Sequence, residues 1–294
     1  MKAETITWQD LRSKNPININ DYNGKLSSYT FWNYTSLHCA DLILKNKCFQ
    51  VRNISAMNDL DEKQLHQEDC EMVHALCFCN SNTEKIPMWY LYSGITGEGI
   101  AIGLTQSVMI EFIKTIEKVR SLDGREFSIG KDKEIEILFG WVYYQKKEQP
   151  KQVFYRNKLY EIDSPTEFIK KNYFVKIYPW EYEREFRILF KNNTKEILEK
   201  VVIDIPDQIY KKLKLKLAPE ITEEMTSEIV NTEGFKEYFK SQIQYSELQI
   251  KMGLLDRNRE SIKHYLDEII TNNDPEDKLL SFIKDKLRAV EQKN

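Results

Sequence analysis

The residues best suited to chemistry lie in Tyr178-Pro-Trp-Glu-Tyr-Glu-Arg-Glu-Phe-Arg-Ile-Leu-Phe190. The pattern predicts a strand from Trp180 to Phe190, whose side chains alternate between faces. One face then carries Trp180, Tyr182, Arg184, Phe186 and Ile188; the other carries Glu181, Glu183, Glu185 and Arg187. Neighbours on one face lie roughly 7 Å apart, close enough for carboxylates to raise one another's pKa. Glutamates fixed on a rigid strand can bind a sugar hydroxyl or stabilise a developing cation. The same row also reads as the wet face of an antiparallel strand, with Arg187 screening Glu185.

Other groups offer chemistry of different kinds. Met88-Trp89-Tyr-Leu-Tyr92 precedes Gly94, Gly97 and Gly99, which sets aromatics beside backbone that a ligand can approach closely. Trp89 or Tyr92 could stack on a planar ring, and Trp89 suits a core equally well. The glycines match neither the phosphate-loop nor the dinucleotide fingerprint, which argues against those folds. Cys70, His74, Cys77 and Cys79, with His66 upstream, lack the paired spacing of a zinc site. No metal is expected, and Cys77 and Cys79 read as lining a buried strand. Asn58 and Asp59, with Glu62 close by, fit a ligand contact or an Asx turn.

The elements that must position these groups follow from periodicity. Tyr29–Thr35 reads as a strand, and Ser36 as the cap of a helix carrying Leu37, Ala40, Ile43 and Leu44. Further strands are expected at Phe49–Val51, Val73–Phe78, Ile100–Leu104 and Val201–Ile205, with a polar loop over 55–63. Ile135–Tyr144 alternates as one long strand, and Leu248, Ile250 and Met252 as the last. Thr105 precedes a helix with Val108, Met109, Phe112, Ile113, Ile116 and Val119 on one face. Ser164-Pro165 opens a helix towards Phe174, and another is expected near 222–230. Residues 88–92 fit either helix or strand. The order lacks a βαβα rhythm, which predicts an α+β fold with mixed or antiparallel sheets and flanking helices.

Residues 1–28 read as a lead-in, 29–255 as the main domain and 256–294 as a C-terminal helical extension. Its two amphipathic helices suit packing on the body, a second copy or a partner protein. The net charge of −3 excludes bulk attraction to nucleic acid, so any such contact is local. Segment 210–216 and Lys146-Lys147 are the basic clusters. The 16 Tyr, 14 Phe and 5 Trp suit cores, interfaces and base-stacking surfaces alike. The start of the chain carries no leader pattern, no apolar run is long enough to span a membrane, and the 5 cysteines are an odd number. A cytoplasmic protein without membrane contact is expected.

Three blocks carry a family resemblance. They are Phe31-Trp-Asn-Tyr34-Thr-Ser36 through Met57-Asn58-Asp59-Leu-Asp-Glu62, then Cys77-Phe78-Cys79 with Met88–Tyr92 and Gly99–Gly103, and finally Phe174-Val-Lys176 through Arg187. Together they resemble the bacterial family labelled domain of unknown function 2971, over roughly residues 29–255. The chain departs from that family at Asn33, where a basic residue is usual, at Leu60 for Pro and at Leu91, often His. The layout is similar to that of ADP-ribosyltransferases, including the bacterial DNA-modifying toxins. The resemblance implies NAD as a substrate, held by Tyr34, Ser36, Trp89, Tyr92 and Arg187, and a late-strand glutamate, Glu183 or Glu185.

Cleaving the nicotinamide–ribose bond creates an oxocarbenium-like cation, which a glutamate gripping the ribose hydroxyl stabilises. Glu185 is preferred because Arg187 on the same face can keep it ionised and oriented; Glu183 would then activate the acceptor. The implied acceptor is nucleic acid or protein, and the implied role that of a toxin or antiphage effector. The alternative expectation is a non-catalytic nucleotide- or nucleic-acid-binding module that acts with a partner protein.

Overall fold

The computed structural model describes residues 4–6, 30–57, 70–80, 86–93, 99–130, 133–146, 148–155, 158–164, 173–194, 196–219, 221–222, 225, 228–229 and 231–251. It begins with β1 (Glu4–Ile6) and β2 (Thr30–Ser36). Ser36 caps α1 (Leu37–Asn46): its hydroxyl accepts from the Cys39 amide at 3.3 Å, satisfying a donor that a helix start leaves over. After β3 (Cys48–Arg52) come β4 (Val73–Asn80), α2 (Ile86–Tyr92) and β5 (Gly99–Thr105). Thr105 caps α3 (Gln106–Thr115) by accepting from the Val108 amide.

Short strands dominate the middle: β6 (Lys118–Ser121), β7 (Glu126–Ser128), β8 (Ile135–Trp141), β9 (Tyr143–Lys146), β10 (Gln149–Tyr155) and β11 (Lys158–Ile162). Next, β12 (Val175–Ile177) runs into a 3-10 segment (Tyr178–Glu183) and β13 (Glu185–Asn192). The last elements are β14 (Lys200–Asp204), α4 (Asp207–Tyr210), β15 (Lys214–Leu217) and α5 (Glu233–Lys251). The fold is α+β with mostly antiparallel sheets, as the missing βαβα rhythm predicts. No described helix is long and apolar enough to cross a membrane.

The chain divides into two compact units. One comprises Met1–Tyr34, Cys48–Met88 and Gly103–Pro206; the other comprises Thr35–Lys47, Trp89–Ile102 and Asp207–Asn294. In the first, strands β2, β4, β13 and β8 lie side by side in that order. A second sheet runs β1-β11-β10-β9-β12, and a third runs β3-β14-β6-β7. Val73, Ala75 and Leu189 of the first sheet share a core with Tyr143, Val153, Tyr160, Ile162 and Val175. On the other side of β13, Phe186 packs against Phe31 and Trp141 at ring separations of 4.9 and 5.4 Å. Strand β13 is therefore covered on both faces and paired on both edges.

His74 is fully buried on β4, where its Nε2 donates to the Leu198 carbonyl at 2.8 Å. Burial pushes its pKa below the ordinary value, so the folded protein holds it neutral. That contribution to stability is present above the unfolded pKa of about 6.5 and is lost as pH falls through it. Between about pH 6.5 and 5 the wild type is expected to lose stability by up to ~1.4 kcal/mol per pH unit from this group. In urea unfolding across that range His74→Gln should give a shallower slope; equal slopes would rule the effect out.

In the second unit, α1 packs against α5. The Gly234 amide donates to Asp41 Oδ1 at 2.8 Å, and a Cβ there would stand 2.1 Å from the Asp41 carbonyl oxygen and 2.9 Å from the Lys45 nitrogen. Both neighbours are backbone, so the helices must part to admit it. Gly234→Ala is expected to cost on the order of 1–3 kcal/mol, read as a lower urea midpoint. An unchanged midpoint would mean that the helices separate freely.

Three expectations are corrected. The predicted strand over 135–144 breaks at Val142, whose amide donates to the Glu185 carbonyl while the Tyr143 amide turns to Phe174 at 2.7 Å; β8 and β9 thus belong to different sheets. The residues predicted as the last strand, Leu248 and Ile250, lie in α5. Val119 falls on β6 rather than on a helix. The lead-in contains β1, paired in parallel with β11; its remainder lies outside the described residues. So do Asn58, Asp59, Glu62, His66, Gly94, Gly97, Met252, residues 165–172, where a helix is expected, and the extension over 256–294. The ambiguous Met88–Tyr92 segment is helical, as are Met225, Glu228 and Ile229 near 222–230.

Candidate functional site

Pro179 changes the geometry of the charged segment. Its fixed φ and missing N–H suit the first turn of a helix, and Tyr178–Glu183 winds into a 3-10 segment instead of a strand. Arg184 ends it in the left-handed conformation, φ 45°, with its amide bonded to the Glu181 carbonyl at 3.1 Å. For a residue with a Cβ that conformation costs roughly 1–2 kcal/mol. Sheet pairing takes over at once: the Asn80 amide donates to the Arg184 carbonyl and the Val142 amide to that of Glu185. The continuous strand and its wet face are both corrected: Glu183 sits on the turn, Glu185 and Arg187 on a buried strand.

The two glutamates nevertheless meet, through a residue outside the predicted row. Lys176 on β12 places its ammonium 2.7 Å from Glu183 Oε2 and 2.9 Å from Glu185 Oε2. Arg187 donates to Glu185 through Nε at 2.6 Å and a terminal nitrogen at 3.1 Å. Its other terminal nitrogen donates to the Tyr173 carbonyl at 2.8 Å. The Tyr144 hydroxyl accepts from the Glu185 amide at 2.7 Å. Exposure is 2% for Glu183, 3% for Glu185, 6% for Lys176 and zero for Arg187.

Burial alone would raise the pKa of Glu185. The charges of Arg187 and Lys176, with hydrogen bonds from Arg187 and the Cys77 thiol, outweigh it and hold the carboxyl well below its usual range. The expectation that neighbouring carboxylates raise one another is thus overruled for Glu185 by two cations. Burial, then the Glu185 charge, pushes the Cys77 thiol and the Tyr144 phenol well above their ordinary values. At neutral pH Glu185 is an anion that can accept a hydrogen bond or stabilise positive charge, and it has no proton to give.

The structure therefore brings together Glu183, Glu185 and Arg187, and adds Lys176, Tyr144 and Cys77. Tyr34 lies buried on β2, in the same sheet as β13 with β4 between them. Ser36, Trp89 and Tyr92 belong to the second unit. There the Ser36 hydroxyl serves as a helix cap, Trp89 is fully buried as core, and Tyr92 is half-buried at the end of a helix rather than on a strand. His74 and Cys77 are an odd number of steps apart on β4, so they point to opposite faces. Among the described residues no three His, Cys, Asp or Glu side chains are grouped to hold a metal ion.

Lys176 was the residue to find. Its signal is a lysine inside the apolar run Phe174-Val-Lys-Ile, since a lysine in a buried strand needs an anion. No protein-family model, no curated protein and no solved structure matches the chain.

Proposed function

We propose that the chain is an NAD-consuming, ADP-ribosyltransferase-like enzyme in which Glu185 is the catalytic residue. The observation that carries this reading is an ionised carboxylate fixed on a rigid buried strand between Arg187 and Lys176. Burying two acids with two bases costs desolvation that their attraction commonly fails to offset, and carboxylates so perturbed concentrate at functional sites. The family resemblance supplies the reaction: Glu185 grips a ribose hydroxyl and stabilises the cation formed as nicotinamide leaves. Glu183 activates a nucleic-acid or protein acceptor, and Tyr34 supplies the early-strand aromatic in the same sheet. A toxin or antiphage effector fits such an activity.

The test is nicotinamide release from NAD by the wild type, Glu183→Gln and Glu185→Gln, alone and with RNA, DNA or cell lysate. Release that depends on Glu185 supports the proposal, and the stimulating fraction names the acceptor class. Folded wild type that releases none in any mixture sinks it.

One observation favours a second reading. Both glutamates are at most 3% exposed and fully matched by cations, which suits a structural clasp in a non-catalytic nucleotide- or nucleic-acid-binding module acting with a partner. In that case the glutamine variants lose stability or affinity, and NAD is never consumed.

A further inference from the structure

We propose that Lys176 is a positioning residue of this site, whose ammonium fixes the Glu183 and Glu185 carboxylates against each other. The proposal rests on the reading of Glu185 as the catalytic carboxylate. Its ground is a division of labour between the two cations. Arg187 spends its planar fork on Glu185 and its remaining terminal nitrogen on the Tyr173 carbonyl. A lysine ammonium instead offers three donors in different directions, and Lys176 uses them to span two carboxylates carried by different elements.

The fold aims this side chain from both ends. At its base, Lys176 stands opposite Tyr144 in the parallel pairing of β12 with β9. The hydroxyl of that tyrosine takes the Glu185 amide, so one register position holds both the backbone and the carboxylate of Glu185. At its tip, the Trp180 ring lies 5.2 Å from the ammonium, a cation–π distance. Trp180 and Glu183 belong to the same 3-10 segment, which thereby docks onto Lys176 by a ring and a carboxylate together. Lys176 thus joins the turn carrying Glu183 to the carboxylate of Glu185.

The experiment is a double-mutant cycle read by two measurements. Lys176→Met alone leaves an unmatched buried carboxylate and risks misfolding, so the deciding comparison is Glu183→Gln against Lys176→Met/Glu183→Gln, in which the remaining Arg187–Glu185 pair stays neutral. Carbon-detected NMR titration of Glu185 is expected to move up by at least one pH unit in the double variant relative to Glu183→Gln. Nicotinamide release should show kcat down tenfold or more with KM changed less than threefold, and Lys176→Arg should recover part of the wild-type kcat where Lys176→Met recovers none. Identical Glu185 titrations in the two folded proteins would overturn the positioning role. Wild type that consumes no NAD overturns the catalytic reading instead, while the titration still decides whether Lys176 holds Glu185.

Discussion

Arg187→Met is expected to lower the free energy of unfolding by on the order of 3–5 kcal/mol, the usual cost of removing one partner of a buried ion pair. The wild-type guanidinium is fully buried and holds Glu185 with two nitrogens and the Tyr173 carbonyl with a third. Removing it leaves two carboxylates to share the Lys176 ammonium, an excess negative charge in a core that cannot solvate it. Urea unfolding at neutral pH reads the loss as a lower midpoint with little change in slope. Glu185→Leu/Arg187→Met should recover most of it, because an apolar pair of similar volume carries no such charge. The deficit also has a pH signature. The folded pKa of Glu185 is depressed, so its contribution is fully present above the unfolded value of about 4.3. It is lost as pH falls through that value toward the folded one. The wild-type and Arg187→Met curves should therefore converge in acid, and parallel curves would place the effect elsewhere.

The same residues explain what the amino-acid order reveals and what it hides. Ser36 and Thr105 are legible as caps because the hydroxyl and the amide it serves are three residues apart. Strands β4 and β14 are legible because their apolar runs are short and bounded. The charged ladder points to the right glutamates through the wrong geometry. Pro179 was the visible warning that the strand would start late, and Arg184 in a left-handed conformation gives no such warning, since arginine rarely adopts it. The break at Val142 depends on amide partners far along the chain, Glu185 and Phe174, which alternation within 135–144 cannot express. In α5, alternation at Leu248 and Ile250 competed with the helical spacing of Phe235, Tyr238 and Phe239, whose buried or touching rings reveal the true period. Lys176 and its partner Glu183 stand seven positions apart, and Tyr144 and Glu185 forty-one. Partnerships of that length are made by sheet order, and no local pattern encodes them.

Glu185→Gln is expected to reduce nicotinamide release about 10²–10³-fold, the scale seen when one group that stabilises transition-state charge is removed. Glutamine keeps the shape and one acceptor oxygen but loses the charge that would face the ribosyl cation. An interaction made chiefly in the transition state affects kcat, so KM for NAD should change little. The substitution also leaves Lys176 and Arg187 matched by Glu183 alone, so part of any loss could come from unfolding. Rates are therefore compared well below the melting temperature of each variant, with intrinsic tryptophan fluorescence, to which the buried Trp89 contributes, as the check on folding. Glu183→Gln separates the two roles: it should spare NAD cleavage more than Glu185→Gln does, yet depress transfer to the acceptor. The clasp reading predicts a different pairing of results, in which both variants lose stability and neither changes a turnover that the wild type never had. A folded Glu185→Gln protein that released nicotinamide at the wild-type rate would leave Glu185 as the structural partner of Arg187 and move the chemistry to another residue.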